Sequence, residues 1–318
     1  MVSALLAAVL LNVLAYRHAH AFMNFAPGGA RTPAPARMSL TQKMSVLLAG
    51  PVVPRPRNLR TPDSAGLPFE RHVFARLDGG ALEGWLVPHP AARAVVVMFH
   101  GHADSKQSLL PAARLFHDLG YAAFLVDFRG SGGSSGNETS IGFHEADDVR
   151  AAFVYASALP GRPQVLLYGN SMGAAAVLKA MSDAPLRPAA LVLECPFDRL
   201  ASTVRHRFDT YRVPAFPAAD LLLFWGGLQQ GFNPWRFNPA EYAAAVTAPT
   251  LLMNGDRDPW VSVTEARSIY DRLRGPKELK LFRGLGHQSF LSARRADWKK
   301  TVAGFTGEYT RVGAIPSE

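Results

Sequence analysis

Val165-Leu-Leu-Tyr-Gly169-Asn-Ser171-Met-Gly173-Ala-Ala-Ala-Val-Leu178 carries a strand, a turn and a helix start in one short stretch. The first four residues are apolar and read as a buried strand. Ala174 to Leu178 is a strong helix start. Between them, Gly169-Asn-Ser-Met-Gly173 leaves room only for a sharp turn. A serine there stands in a strained conformation, and Gly169 and Gly173 let neighbouring backbone pass close by. That strand–turn–helix context marks Ser171 as a candidate nucleophile.

Gly132-Gly-Ser134-Ser-Gly136 has the same G-x-S-x-G spacing but the wrong surroundings. Asp127-Phe-Arg-Gly130 separates it from the preceding strand, and Asn137-Glu-Thr-Ser140 follows in place of a helix. It reads as a tight surface loop. It also lacks the Gly-Lys-Ser/Thr ending of a phosphate-binding loop.

Working outward, apolar runs recur at Ala94–Phe99, Ala122–Val126, Ala189–Leu193, Thr250–Met253 and Leu279–Phe282. Stretches of helical spacing lie at Leu109–Leu119, Glu145–Ala158, Met172–Met181, Thr264–Leu273 and Ala293–Phe305. Continuous apolar strands alternating with helices predict an α/β fold, a mostly parallel sheet with helices on both faces. Phe69–Leu77 and Ala81–Val87 flank Asp78-Gly-Gly80 and predict a hairpin at the start of that sheet. From about 197 to 248 no strand is evident, and the stretch is rich in aromatics, among them Phe208, Tyr211, Trp225, Trp235 and Phe237. It reads as a helical cap insertion, with a packed side layer as the alternative.

A serine needs a base, and the base needs an acid to set its tautomer. His287, in Gly284-Leu-Gly-His-Gln288, follows the last predicted strand at the carboxyl edge of the sheet, where ligands bind in such folds. His18 and His20 lie in the N-terminal arm. His72, His89, His117, His144 and His206 read as surface or element-end residues. Asn254-Gly-Asp256-Arg-Asp258-Pro-Trp-Val261 offers two acids. Asp258 is preferred as the triad member, and Asp256 reads as a brace for the turn. Two backbone N–H groups are needed to hold a transition-state oxyanion. Met172, after the nucleophile, is one; His102, in Phe99-His-Gly-His-Ala103, is assigned the other. His100 and His102 form an i, i+2 pair with no third ligand nearby, so no metal site is expected. Trp260, Phe197 and Trp225 are the expected substrate-binding residues.

These motifs stand together and in order: Phe99-His-Gly-His-Ala-Asp-Ser-Lys106, Val126-Asp-Phe-Arg-Gly-Ser-Gly-Gly-Ser134, Gly169-Asn-Ser-Met-Gly173, Gly255-Asp-Arg-Asp258 and Gly286-His287. The chain from Phe69 to Phe305 thereby resembles α/β-hydrolase-fold serine hydrolases of the serine aminopeptidase-like and dienelactone-hydrolase-like branch. Related sequences often carry Gly or Asn where His102 stands, a change that leaves the backbone N–H in place. The resemblance implies a cofactor-free enzyme cleaving carboxylic esters through an acyl-enzyme. A peptidase or amidase with the same triad is the alternative within the enzyme class, and a non-catalytic membrane-tethered binding protein the alternative outside it.

Composition sets further bounds. The 318 residues are 48% hydrophobic and 19% charged, a globular mix. The single cysteine, Cys195, excludes an internal disulfide and follows an apolar run, so it reads as a buried thiol. Nine of the 34 basic residues but only two of the 25 acidic ones lie before Asp78, leaving 25 against 23 from Asp78 onward. The positive charge therefore belongs to an N-terminal arm suited to an anionic membrane surface, and no nucleic-acid partner is expected. Residues 1–21 are an apolar anchor or signal segment, with Ala19-His-Ala21 as a possible cleavage site, which predicts a membrane-associated or exported protein. Residues 22–68 read as an extended Pro/Arg-rich linker with a short helix near Leu40–Leu48, and 69–310 as the hydrolase domain. The expected substrate is a small-molecule ester with an apolar part.

Overall fold

The computed structural model describes residues 1–33, 37–210 and 213–310. Before the sheet come two helices, α1 (Val2–Met23) and α2 (Leu40–Ala49). Eight strands follow: β1 (Glu70–Ala75), β2 (Ala81–Val87), β3 (Val95–Phe99), β4 (Ala122–Val126), β5 (Val165–Asn170), β6 (Ala190–Glu194), β7 (Thr250–Gly255) and β8 (Lys277–Phe282). They form one sheet in the order β1-β2-β4-β3-β5-β6-β7-β8. β2 runs antiparallel to both of its neighbours, and every other pairing is parallel. Parallel strands buried on both faces need apolar side chains at every position. The residues of β3, β4 and β6 are accordingly all buried.

Helices α3 (Leu110–Asp118), α4 (Glu145–Ser157), α5 (Met172–Asp183), α9 (Val263–Arg272) and α11 (Arg295–Tyr309) cover the sheet. The central one is α5, apolar and buried from Met172 to Leu178. Between β6 and β7 lie α6 (Leu200–Thr210), α7 (Ala218–Gln230) and the short α8 (Pro239–Tyr242). They form the helical insertion, with no strand among the described residues; Tyr211 lies outside those residues. A further short turn of helix, α10 (Phe290–Ala293), leads into α11.

The Pro/Arg-rich segment departs from the expected extended linker. The described residues of 22–33 and 37–68 form a strap fastened to the body. Phe25, Val53 and Leu67 are buried. Backbone bridges pair Asn24 with Glu138 and Ala26 with Pro54. The Arg55 guanidinium donates to the carbonyls of Gly132 and Ser134. Proline removes regular structure, but it does not stop spaced apolar side chains from burying or arginine from satisfying the carbonyls of a glycine-rich loop.

That loop is needed for a buried charge cluster. Lys106 is fully buried, bonds Glu83 at 2.8 Å and Asp127 at hydrogen-bond distance, and lies over the Trp85 ring at 4.3 Å. A Cβ at Gly132 would fall 1.9 Å from the Asp127 carboxylate, and one at Gly133 would fall 2.2 Å from that of Glu83. Ser134 is buried, receives the Glu83 N–H and donates to the Asp127 carbonyl. Burial works to raise the Asp127 carboxyl, but the adjacent Lys106 ammonium outweighs it, so the group titrates below its ordinary value. Lys106→Met is expected to destabilise the fold by about 3–5 kcal/mol, because it strands carboxylates in the interior. Differential scanning calorimetry should show a melting temperature lower by on the order of 10 °C. The native cluster's contribution is complete above the unfolded carboxylate pKa of about 4 and is lost as pH falls through the depressed folded value.

Candidate active site

Ser171 occupies the tip between β5 and α5 with φ 50° and ψ −112°, a conformation that L-residues rarely adopt. The turn closes because its neighbours have no side chain. A Cβ at Gly169 would meet the Ala174 backbone at 2.7 Å, and one at Gly173 the Phe99 carbonyl oxygen at 2.6 Å. The Ser171 N–H donates to the Glu194 carbonyl at 2.7 Å, tying the turn to β6. Ser171 Oγ lies 2.9 Å from His287 Nε2. On the far side of the imidazole, His287 Nδ1 lies 2.7 Å from Asp258 Oδ2. The structure thus brings together Ser171, His287 and Asp258 from three distant segments.

The acid is held rigidly. Its side chain is buried, and its second oxygen, Oδ1, accepts the Trp260 and Val261 N–H groups at 2.8 and 3.0 Å. A carboxylate so placed puts the imidazole proton on Nδ1 and leaves Nε2 free to accept from the serine hydroxyl. Asp256 has a different duty: its Oδ1 accepts the Gly284 N–H at 2.6 Å, bracing the loop that carries His287.

Met172 opens α5, where the first N–H groups of a helix have no partner within the helix. The loop after β3 passes beside the serine, with a Cβ at Gly101 placed 3.7 Å from Ser171 Cβ. The His102 ring turns toward the N-terminal strap, 6.3 Å from the Phe25 ring, and its buried Nε2 has no hydrogen-bond partner among the described residues. Burial and the charge of Arg207 outweigh the opposing Phe22 carbonyl and lower this imidazole to about 4, so the ring is neutral at pH 7. A ring turned toward the strap and of such lowered basicity is a poor base for the serine. His102→Ala is therefore expected to keep activity within about tenfold, whereas losing an oxyanion donor costs about 10²–10³. Steady-state rates on a soluble ester check this. A loss as large as that of the nucleophile would mean that the imidazole takes part in the chemistry.

Of the three residues expected to bind substrate, Trp260 adjoins the triad, its ring 4.8 Å from that of His287 and covered by the Arg207 guanidinium at 4.8 Å. The other two need correction. Phe197 is 4% exposed and packs edge-on against Phe237 within the base of the insertion, so it holds the cap together. Trp225 donates to Asn12 at 3.2 Å and packs against Tyr16, so its ring belongs to the contact between α7 and α1. Single-residue aromaticity cannot tell a cap's own core from its substrate wall.

Two features went unread in the sequence. Glu194 lies below the turn and accepts from Tyr168 Oη at 2.9 Å and Trp298 Nε1 at 2.7 Å; burial raises its carboxyl above the usual range. Its partners come from β5 and α11, so no local pattern announced it. A cavity of about 280 Å³ opens beside His287, lined in part by Gly101, Asp104, Asn170 and Gln288. As for metal binding, ligand atoms of Cys195, Asp258 and His287 lie within 4.8 Å of one another. Burial and the charges of Asp258 and Glu194 push the Cys195 thiol well up, which makes it a poor ligand at neutral pH.

Comparison with known proteins bears on this geometry. A family model described as serine aminopeptidase, S33, matches residues 90–222. The uncharacterized Mycobacterium tuberculosis protein Rv2307c is 31% identical over 231 residues, 70% of this chain and 74% of that protein. The chain belongs to the serine aminopeptidase S33 family of α/β hydrolases. A second relative of this S33 chain is the monoacylglycerol lipase of Mycolicibacterium smegmatis, 27% identical over 254 residues, 69% of this chain and 90% of the lipase. Among solved structures, the Pyrococcus furiosus esterase Pf2001 superposes with a TM-score of 0.69 at 21% identity, covering 81% of this chain and 97% of the esterase. The S33 chain thus has the fold of α/β-hydrolase esterases and lipases.

Proposed function

We propose that the protein is a carboxylesterase-like serine hydrolase that acts through an acyl-enzyme on Ser171. The observation that carries this is the pair of hydrogen bonds, 2.9 Å and 2.7 Å, linking Ser171, His287 and Asp258 around a serine held in a left-handed backbone conformation. His287 Nε2 takes the hydroxyl proton as Ser171 Oγ attacks the ester carbonyl. The N–H groups of Met172 and His102 serve the resulting oxyanion. Collapse of the tetrahedral species expels the alcohol, which receives the proton from His287. Water, deprotonated by the same imidazole, then releases the acid and restores the serine.

An ester with an apolar acyl part is the preferred substrate. Trp260 beside His287 supplies apolar contact at the reacting centre, and large aromatics each bury about 150–250 Å². The similarity to a monoacylglycerol lipase supports the same reading. A panel of p-nitrophenyl esters beside amide and aminoacyl substrates is the test. The reading expects labelling of Ser171 by a fluorophosphonate and a higher kcat/KM for octanoyl than for acetyl esters. Equal values for the two chain lengths would remove the apolar preference, and faster turnover of aminoacyl amides would replace the esterase with a peptidase.

One N-terminal helix, Val2–Met23, is long and apolar enough to cross a membrane. We take it as a membrane-associating element.

A further inference from the structure

The start of the chain is built into the cap. On one side of α1, Ala15, Ala19 and Met23 are buried. Asn12 accepts from Trp225 Nε1 at 3.2 Å, and the Tyr16 carbonyl accepts from Gln229 at 3.1 Å. Gly226 of α7 faces α1, and a Cβ there would stand 3.1 Å from Met23 Cε and 3.9 Å from Ala19 Cβ. The carboxyl end of α1 is fastened to the catalytic body as well. The Met23 carbonyl accepts the Thr139 N–H at 2.8 Å, and the Phe25 N–H donates to Asn137 at 2.9 Å. A cleaved signal would make no such contacts with the mature fold.

The other side of α1 is apolar and uncovered. Every residue from Val2 to Leu10 is exposed, and Ser3 is the one polar side chain among them. This face runs into α7 through an apolar groove of about 360 Å³ lined by Ala8, Val9, Asn12, Val13, Tyr16 and Trp225. Beyond Trp225 the surface continues through Phe224, whose ring is 5.1 Å away and 47% exposed, and Leu228 of the same helix is exposed too. The same N-terminal arm carries exposed Arg17, Arg31, Arg37 and Lys43, and no acidic residue occurs in it before Asp63.

We propose that α1 stays attached to the folded enzyme and that α1 and α7 together form a surface that seats on an anionic lipid bilayer. Docked as it is, α1 cannot span the membrane. Its fully exposed part reaches roughly 15 Å at 1.5 Å per residue, half of a hydrocarbon core of about 30 Å. That length suits one leaflet. An apolar face on an arm with net positive charge matches hydrocarbon beneath anionic headgroups. The proposal is independent of the esterase reading, because its readout is partitioning and not turnover.

The test is flotation of the full chain with phosphatidylcholine vesicles and with mixed phosphatidylcholine/phosphatidylglycerol vesicles. A variant combining Leu6→Glu, Val9→Glu and Leu10→Glu is floated beside it. All three side chains are solvent-facing, so the fold survives, which hydrolysis of a water-soluble ester or circular dichroism verifies. The wild type is expected to float with the anionic vesicles, more weakly with phosphatidylcholine alone and more weakly at high salt. The variant is expected to lose at least about tenfold in vesicle binding, with the soluble-ester rate unchanged. Intact mass of the membrane-bound wild type should include α1. Any of three results overturns the proposal. The variant floats like the wild type; the bound protein has lost the residues before Phe22; or the wild type is a dimer that the variant turns into a monomer, which would make the surface a contact between copies.

Discussion

Ser171→Ala is expected to lower kcat by about 10⁶ while the protein still folds, because removing the nucleophile of a Ser-His-Asp relay costs that much in the best-studied example. Among the described residues the side chain of Ser171 bonds only to His287, and the Ser171 N–H bond to the Glu194 carbonyl is a backbone contact that alanine keeps. Circular dichroism and the melting temperature should stay near wild type, and fluorophosphonate labelling should vanish. A variant retaining even about a tenth of the wild-type rate on an activated ester would refute the assignment of the nucleophile, since that loss is far below the one expected of it.

Asp258→Asn is the second large effect, about 10⁴ in kcat. The structure supplies the reason. Oδ1 accepts two N–H groups, from Trp260 and Val261, and Oδ2 faces His287 Nδ1. An asparagine keeps its carbonyl oxygen on the two N–H groups, so its amide NH₂ is turned toward the imidazole. A donor there forces the His287 proton onto Nε2, where it opposes the serine hydroxyl, and the base can no longer accept. Asp256→Asn has no such consequence. Its carboxylate only accepts from Gly284, as an amide oxygen also can, and the loss should stay within about tenfold. Measured kcat values for the two variants on the same ester decide between the acids. The reverse ranking would transfer the role to Asp256 and leave Ser171 and His287 in place.

Much of the body was legible because its signals are local. The hairpin over Asp78-Gly-Gly80, the buried strands and the helix beginning at Met172 each follow from patterns within about ten residues of sequence, and all are present. The turn at Ser171 was legible for the same reason: two glycines at fixed spacing between a strand and a helix. The strap was misread because proline content reports only the absence of regular structure. Whether Phe25, Val53 and Leu67 find something to bury against depends on residues far along the chain. The same applies to Phe197 and Trp225, whose composition is that of a substrate wall and whose contacts are those of a cap core and a docked helix.

By itself, the sequence determined the α/β architecture, the tight turn that carries Ser171 and the loops that carry His287 and the two candidate acids. These rest on backbone preferences and hydrophobic period, which act between neighbours. Only the tertiary structure decided which atoms meet: the 2.7 Å contact of Asp258 with His287, the Lys106 cluster beneath the glycine-rich loop, and the seating of α1 on the cap. Each of these is a contact across dozens to hundreds of residues. Packing and charge pairing act through space, so such pairs leave no periodic trace along the chain.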